Sequence, residues 1–146
     1  MTYKTIMLLL IVLLLPSLSC AEDKWVSIKS NLVNMRSGPN IDYPILWTYN
    51  LRHFPLKLLS NFDNWSKVVD FEGTEGWINS RFLSNKRYII ILNNNINLYK
   101  NIFKFYQGVA HKHALMEYIN NNHNGWCEVK YKSTSLFIKK QDVWGC

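Results

Sequence analysis

Three blocks of sequence recur in the same order at nearly the same spacing, and this limits the possible fold more than any other feature of the 146 residues. Val33-Asn34-Met35-Arg36 is echoed by Ile96-Asn97-Leu98-Tyr99, and Trp65-Ser66-Lys67-Val68 by Trp126-Cys127-Glu128-Val129. Trp77-Ile78-Asn79-Ser80-Arg81-Phe82-Leu83 returns as Phe137-Ile138-Lys139-Lys140-Gln141-Asp142-Val143. The offsets are 63, 61 and 60, so loop lengths change slightly while the order holds. A chain repeating at this period folds as two copies of one small unit. The join falls between Ser84 and Asn95, where the apolar run Tyr88 to Leu92 is either the first strand of the second unit or a strap between units.

Each unit reads as all-β. Short runs rich in β-branched and aromatic residues alternate with Asn, Gly, Asp and Ser, and no long amphipathic helix is encoded. Strands are expected over Asn31 to Arg36, Ile45 to Tyr49, Phe54 to Ser60, Trp65 to Asp70 and Trp77 to Asn79. Ser37-Gly38-Pro39-Asn40, Asn61 to Asn64 and Glu72 to Gly76 supply the turns between them. So many short strands in so little chain suit a small barrel better than an open sheet. Val33, Met35, Leu46, Leu58, Val68, Ile78 and Leu83 are its expected core, with Trp77 beside them.

The first residues address the chain to export. Lys4 precedes an apolar run from Ile6 to Leu15, Pro16 breaks it, and Ser19 and Ala21 place a cut after Ala21. Two alternatives remain open: an uncleaved anchor, for which the run is short, and acylation at Cys20. Removing Lys4 lowers the formal net charge from +7 to +6. A basic protein in the periplasm or outside the cell meets lipid headgroups, acidic glycans and the carboxylates of peptidoglycan stem peptides, and nucleic acid is not the expected partner there. No later stretch is long enough to span a membrane, so the mature chain is read without a transmembrane helix.

Val33-Asn34-Met35-Arg36-Ser37-Gly38-Pro39, then Trp65, then Gly76-Trp77-Ile78, resembles the bacterial SH3-like domain. Tyr43-Pro44-Ile45-Leu46-Trp47, Phe62-Asp63-Asn64-Trp65 and Glu72-Gly73-Thr74-Glu75-Gly76-Trp77 are similar to an exported two-module subfamily of alphaproteobacteria. Trp126-Cys127 and Trp144-Gly145 match that subfamily's second half. The resemblance implies two tandem small SH3-like β-barrels, at 22–84 and 85–146, after a signal peptide at 1–21. It also implies an accessory module that binds cell-wall peptides, glycans or other proteins. The second unit departs from the pattern, since Tyr99 replaces the arginine and Ser133-Thr134-Ser135-Leu136 replaces the glycine turn.

Among candidate residues, Arg36 lies opposite Val33 and Met35, where it either pairs with a ligand carboxylate or ties down turn carbonyls or Asp42. Tyr43, Trp47 and Trp65, with Arg52 and flanking His53 and Lys57, are the expected ligand platform, Trp65 and Tyr43 being half exposed. Cys127 and Cys146 remain after export and either form a disulfide or leave Cys127 buried and Cys146 loose. His111 and His113, two apart, would share one face of a strand, and a surface pair is preferred to a metal site. No nucleophile elbow, phosphate loop, HExxH pattern or placed carboxylate pair is present, so neither catalysis nor a cofactor is expected. The expected role is an envelope binding module for peptidoglycan or an envelope protein, with a structural or assembly factor as the alternative.

Overall fold

The computed structural model describes residues 23–103, 105–121 and 125–146; the expected signal segment at 1–21 lies outside them. The first sheet contains β1 (Lys24–Ile28), β2 (Val33–Arg36), β3 (Ile45–Tyr49), β4 (Pro55–Phe62), β5 (Trp65–Val69), β6 (Glu75–Asn79) and β7 (Leu83–Ser84). The second contains β8 (Tyr88–Ile91), β9 (Ile96–Tyr99), β10 (Tyr106–Ala110), β11 (Leu115–Asn120), β12 (Trp126–Tyr131), β13 (Thr134–Lys139) and β14 (Val143–Trp144). Both are antiparallel, and both follow one order: β3-β2-β6-β5-β4-β1-β7 is matched strand for strand by β10-β9-β13-β12-β11-β8-β14. A single 3₁₀ turn precedes the last strand of each, at Ser80–Phe82 and Lys140–Asp142. The fold is two tandem small SH3-like barrels.

The repeat extends to backbone hydrogen bonds. His53 N–H donates to Ile28 O at 2.7 Å and His113 N–H to Ile91 O at 2.8 Å, each from a left-handed residue with φ 69 and 67. Lys29 N–H reaches Phe82 O at 2.9 Å, and Leu92 N–H reaches Asp142 O at 3.0 Å. His111 and His113 therefore belong to the turn before β11, not to a strand, because His113 is needed to bend the chain there.

Inward positions follow the two-residue period of a strand. Val26, Ile28, Val33, Met35, Tyr49, Leu56, Val68, Ile78 and Leu83 fill the first core, and Ile89, Ile91, Leu98, Met116, Cys127, Val129, Leu136, Ile138 and Val143 the second. Two expected core residues are placed differently. Leu46 is 49% exposed, because β3 is an edge strand from which only Tyr49 reaches the core. Trp77 is half-buried, since the buried Gly76 and Ile78 on either side put it on the outer face. Leu58 packs against the core without being fully buried. The strand β1 was not expected; β2 starts at Val33, β4 runs on to Phe62, and the β4–β5 turn shrinks to Asp63 and Asn64.

Tyr88 to Leu92 is both first strand and strap. Ile89 and Ile91 enter the second core, while Ile90, 1% exposed, joins the first core with Leu92 packed beside it. Around this strand the barrels are joined by Trp25 edge-on to Trp144 (centroids 4.5 Å), His53 stacked on Tyr88 (4.4 Å) and Phe71 against His113 (5.7 Å). Ser27 Oγ donates to Lys86 O at 2.7 Å, and Arg87 Nε to Gly145 O at 2.8 Å. Gly145 has φ 97, and a Cβ there would lie 2.6 Å from Tyr88 O, so only glycine lets the tail approach β8 this closely. The disulfide Cys127–Cys146, closing 19 residues, fixes that tail to β12 and adds about 3 kcal/mol on a loop-entropy argument.

One charged residue is buried in the first barrel among the described residues. Asp70, 6% exposed, accepts from Tyr49 Oη at 2.9 Å and from Glu72 N–H and Thr74 N–H at 3.0 and 2.9 Å. Burial, and then the hydrogen bond to Asp70, push the Tyr49 hydroxyl well above the usual phenol range.

Two outcomes follow. Ile90→Ala should cost about 2–5 kcal/mol, and amide exchange should quicken in β5 and β12 together; quickening in only one barrel would mean that they unfold separately. The raised Tyr49 pKa contributes stability that is complete below the unfolded-state value of about 10 and is lost as pH rises beyond it. Tyr49→Phe should cost about 1–3 kcal/mol at neutral pH by leaving Asp70 short of a donor. Urea melts at pH 8 and pH 11 should show a smaller alkaline loss in Tyr49→Phe than in the wild type.

Candidate functional site: two clefts on the first barrel

The loop between β2 and β3 folds back on itself. Ser37 N–H donates to Pro44 O and Asn40 N–H to Gly38 O, both at 3.0 Å, and Arg36 Nη1 donates to Tyr43 O at 2.8 Å. The Tyr43 ring lies against Gly38, where a Cβ would come within 2.5 Å of it. Arg36 thus does tie down a turn carbonyl, as one sequence reading had it. A guanidinium has five donors, and this bond uses one group of them.

Arg36 also lines a groove of about 220 Å³ with Val33, Ile41, Trp65, Arg81 and Phe82. Four separate pieces of chain meet there: β2, the β2–β3 loop at Ile41, the start of β5 and the 3₁₀ turn. Asn79 starts that turn by accepting the Arg81 N–H on its side chain at 3.2 Å. The Arg81 guanidinium sits 4.5 Å from the Phe82 ring centroid. Two guanidiniums beside an indole, with no carboxylate among the described lining residues, form a site suited to an anion carried on an apolar or sugar-like body.

The second barrel has the same groove with different chemistry. Asn95, Ile96, Asn97, Tyr99, Lys139 and Asp142 line about 170 Å³ at the equivalent place. Tyr99 stands where the first barrel has Arg36, and its ring packs edge-on to Trp126 at 5.4 Å. Gln141 replaces Arg81, and Asp142 replaces Phe82. A phenol and an amide stand where the first barrel has its guanidiniums, and the lining carries one cation, Lys139, and one carboxylate, Asp142.

The four expected ligand residues do not converge. Trp65, half-buried, lines the arginine groove, and Tyr43, 47% exposed, shapes its loop without lining it. Trp47, 54% exposed on the open edge, lines a separate cleft at the junction of the barrels, and Arg52 is exposed and lines neither. The junction cleft measures about 340 Å³ and takes Trp47, Tyr49, Leu51, Phe54, Asp70, Phe71 and Glu72 from the first barrel and Ile90 and His113 from the second. Sequence reasoning found Trp47 and missed the rest, since this cleft exists only once the barrels dock. Arg81 was missed as a site residue too, although its place in the repeat, opposite Gln141, was a usable signal. At the same seam burial lowers the His53 pKa, with nearby Arg52 and Lys86 adding to the effect.

No helix of the described residues is long and apolar enough to cross a membrane, and no group of metal-ligating side chains occurs among them. No curated protein matches the chain. Among solved structures, NlpC2 and NlpC1 from Trichomonas vaginalis align over 85% and 90% of this chain, at 12% and 14% identity and TM-scores of 0.42 and 0.41. The chain spans about half of each, 49% of their length. The endolysin LysPBC5 CBD aligns over 86% of this chain and 96% of its own, at 14% identity and a TM-score of 0.35. Likenesses this distant say nothing of activity. Residues 29–85 match the family described as the bacterial SH3 domain, and this stretch holds most of the first barrel and every residue of the arginine groove. The first barrel is thus similar to the bacterial SH3 domain, and it is followed in the same chain by a second barrel of the same strand order.

Proposed function

We propose that this chain is a non-catalytic binding module of the bacterial cell envelope, which takes carboxylate-bearing peptides of peptidoglycan in the groove of its first barrel. The arginine groove carries this reading: Arg36 and Arg81 beside Trp65, within a barrel similar to the bacterial SH3 domain. The guanidiniums supply charge-assisted donors to a carboxylate, and the indole supplies a face for the chain or sugar that bears it. The chain divides at 84/85, residues 22–84 carrying the ligand surface and 85–146 holding the first barrel in shape. The leader at 1–21, read from sequence, delivers both to the periplasm or the outside of the cell.

A second reading, a scaffold that holds another envelope protein, draws on a different observation. The open edge of the first barrel exposes Ile41, Ile45, Leu46 and Trp47 by 69%, 49%, 49% and 54%. An uncovered apolar edge strand is a surface on which another chain can add a strand.

Sedimentation with insoluble peptidoglycan separates the two. Losing a charge-assisted pair worth about 1.5–3 kcal/mol weakens binding about tenfold or more, so Arg36→Gln and Trp65→Ala should stay in the supernatant while Tyr99→Ala still sediments. Thermal melts on each variant distinguish lost contact from lost fold. No sedimentation of the wild type, together with a protein crosslinked to β3 in intact cells, would favour the scaffold.

A further inference from the structure

We propose that the cleft between the barrels is a second ligand site, built for a primary ammonium group at the end of a short peptide. Its walls are aromatic: Trp47, Tyr49, Phe54 and Phe71 face the space, with Leu51 and Ile90 completing the apolar lining. Its charges are all negative. Asp70 and Glu72 line it, and no lysine or arginine does so among the described residues, in a chain carrying 17 Lys and Arg against 10 Asp and Glu. The carboxylates in the lining are thus opposite in sign to the chain's net charge, with His113 the one ionisable base beside them.

The two carboxylates do different work. Asp70 is held by the Tyr49 hydroxyl and two backbone N–H groups, which fix it at the floor without cancelling its charge. Glu72 lends only its N–H to that arrangement and leaves its side chain exposed at the rim. Nearby Glu75 is paired with Lys67 at 3.0 Å, whereas neither Asp70 nor Glu72 has a lysine or arginine partner among the described residues. A compact cation entering between aromatic faces and a carboxylate gains from both the ring quadrupoles and the charge. The volume of about 340 Å³ admits an amine with a residue or two behind it. Because Ile90 and His113 come from the second barrel, the site is complete only in the tandem. This inference rests on the peptidoglycan reading for its source of ligand, since wall peptides carry free amines as well as carboxylates.

The test is an amide-resolved NMR titration of the purified protein with alanyl-alaninamide and with its N-acetylated form. Saturable shifts should cluster at the Trp47 indole, Leu51, Glu72 and His113, and acetylation should weaken binding about tenfold or more. Glu72→Gln, a surface change, should weaken the free amine about tenfold while leaving the spectrum otherwise unchanged. Trp47→Ala, at a position 54% exposed, should do the same. Equal affinity for the acetylated probe, or no shift in the cleft, overturns the proposal. If Glu72→Gln and Trp47→Ala sediment normally with peptidoglycan and the probe does not bind, only this inference falls. If the probe binds as described but Arg36→Gln sediments unchanged, the groove reading falls and the ammonium site stands.

Discussion

Everything else in this structure depends on one strand being buried on both faces. A unit of about 60 residues buries too small a fraction of its surface to be comfortably stable alone. Here β8 supplies Ile89 and Ile91 to one core and Ile90 to the other, so neither barrel has a complete interior without it. The tail completes the seam: Trp144 packs on Trp25, the Gly145 carbonyl takes the Arg87 guanidinium, and the disulfide from Cys146 to Cys127 holds the tail in place. Arg87 also lies 5.2 Å from the Trp25 ring and 4.0 Å from that of Tyr118, so one cation bridges aromatics of both barrels. The junction cleft is a product of that docking.

The two copies differ where a ligand would touch and agree where the fold is decided. Val33, Met35, Val68, Ile78 and Leu83 correspond to Ile96, Leu98, Val129, Ile138 and Val143, apolar in both barrels. Register shifts recur too, between Met35 and Arg36 and between Tyr106 and Gly108 on the paired edge strands, and between Leu58 and Ser60 and between Tyr118 and Asn120 on the next hairpin. The groove residues do not follow this rule. Exchanging Arg36 for Tyr99 turns a donor fork into a ring resting on Trp126, and the groove, lined by Lys139 and Asp142, loses the purely cationic character it has in the first barrel.

The sequence held much of this in plain view. The repeat blocks announced two like units, because strand alternation and Trp-bearing strand starts survive changes in loop length. Cys127 and Cys146 were readable as a pair. What escaped has a common cause. Leu46 looks like a core residue by its alternation, but its exposure follows from β3 standing at an open edge, which is a property of the sheet and not of the segment. The apolar run Tyr88 to Leu92 was ambiguous because a strand buried on both faces loses the alternation that would reveal it. The four ligand candidates were grouped by residue type, yet Trp65 and Trp47 lie on different clefts. Phe71, Glu72 and His113 carry no linear signal of a site, since three turns must meet across a domain junction to make one.

The account therefore assigns opposite charges to two clefts on one small basic protein, with guanidiniums receiving acids on the barrel and carboxylates receiving amines at the seam. Its central claim is that the first barrel recognises wall carboxylates and not merely a negative surface. The most direct measurement compares binding of the wild-type protein to native sacculi and to sacculi whose free carboxyl groups have been amidated, at physiological salt. The account predicts that amidation lowers binding to the level of Arg36→Gln on native sacculi. Undiminished binding to amidated sacculi would contradict it.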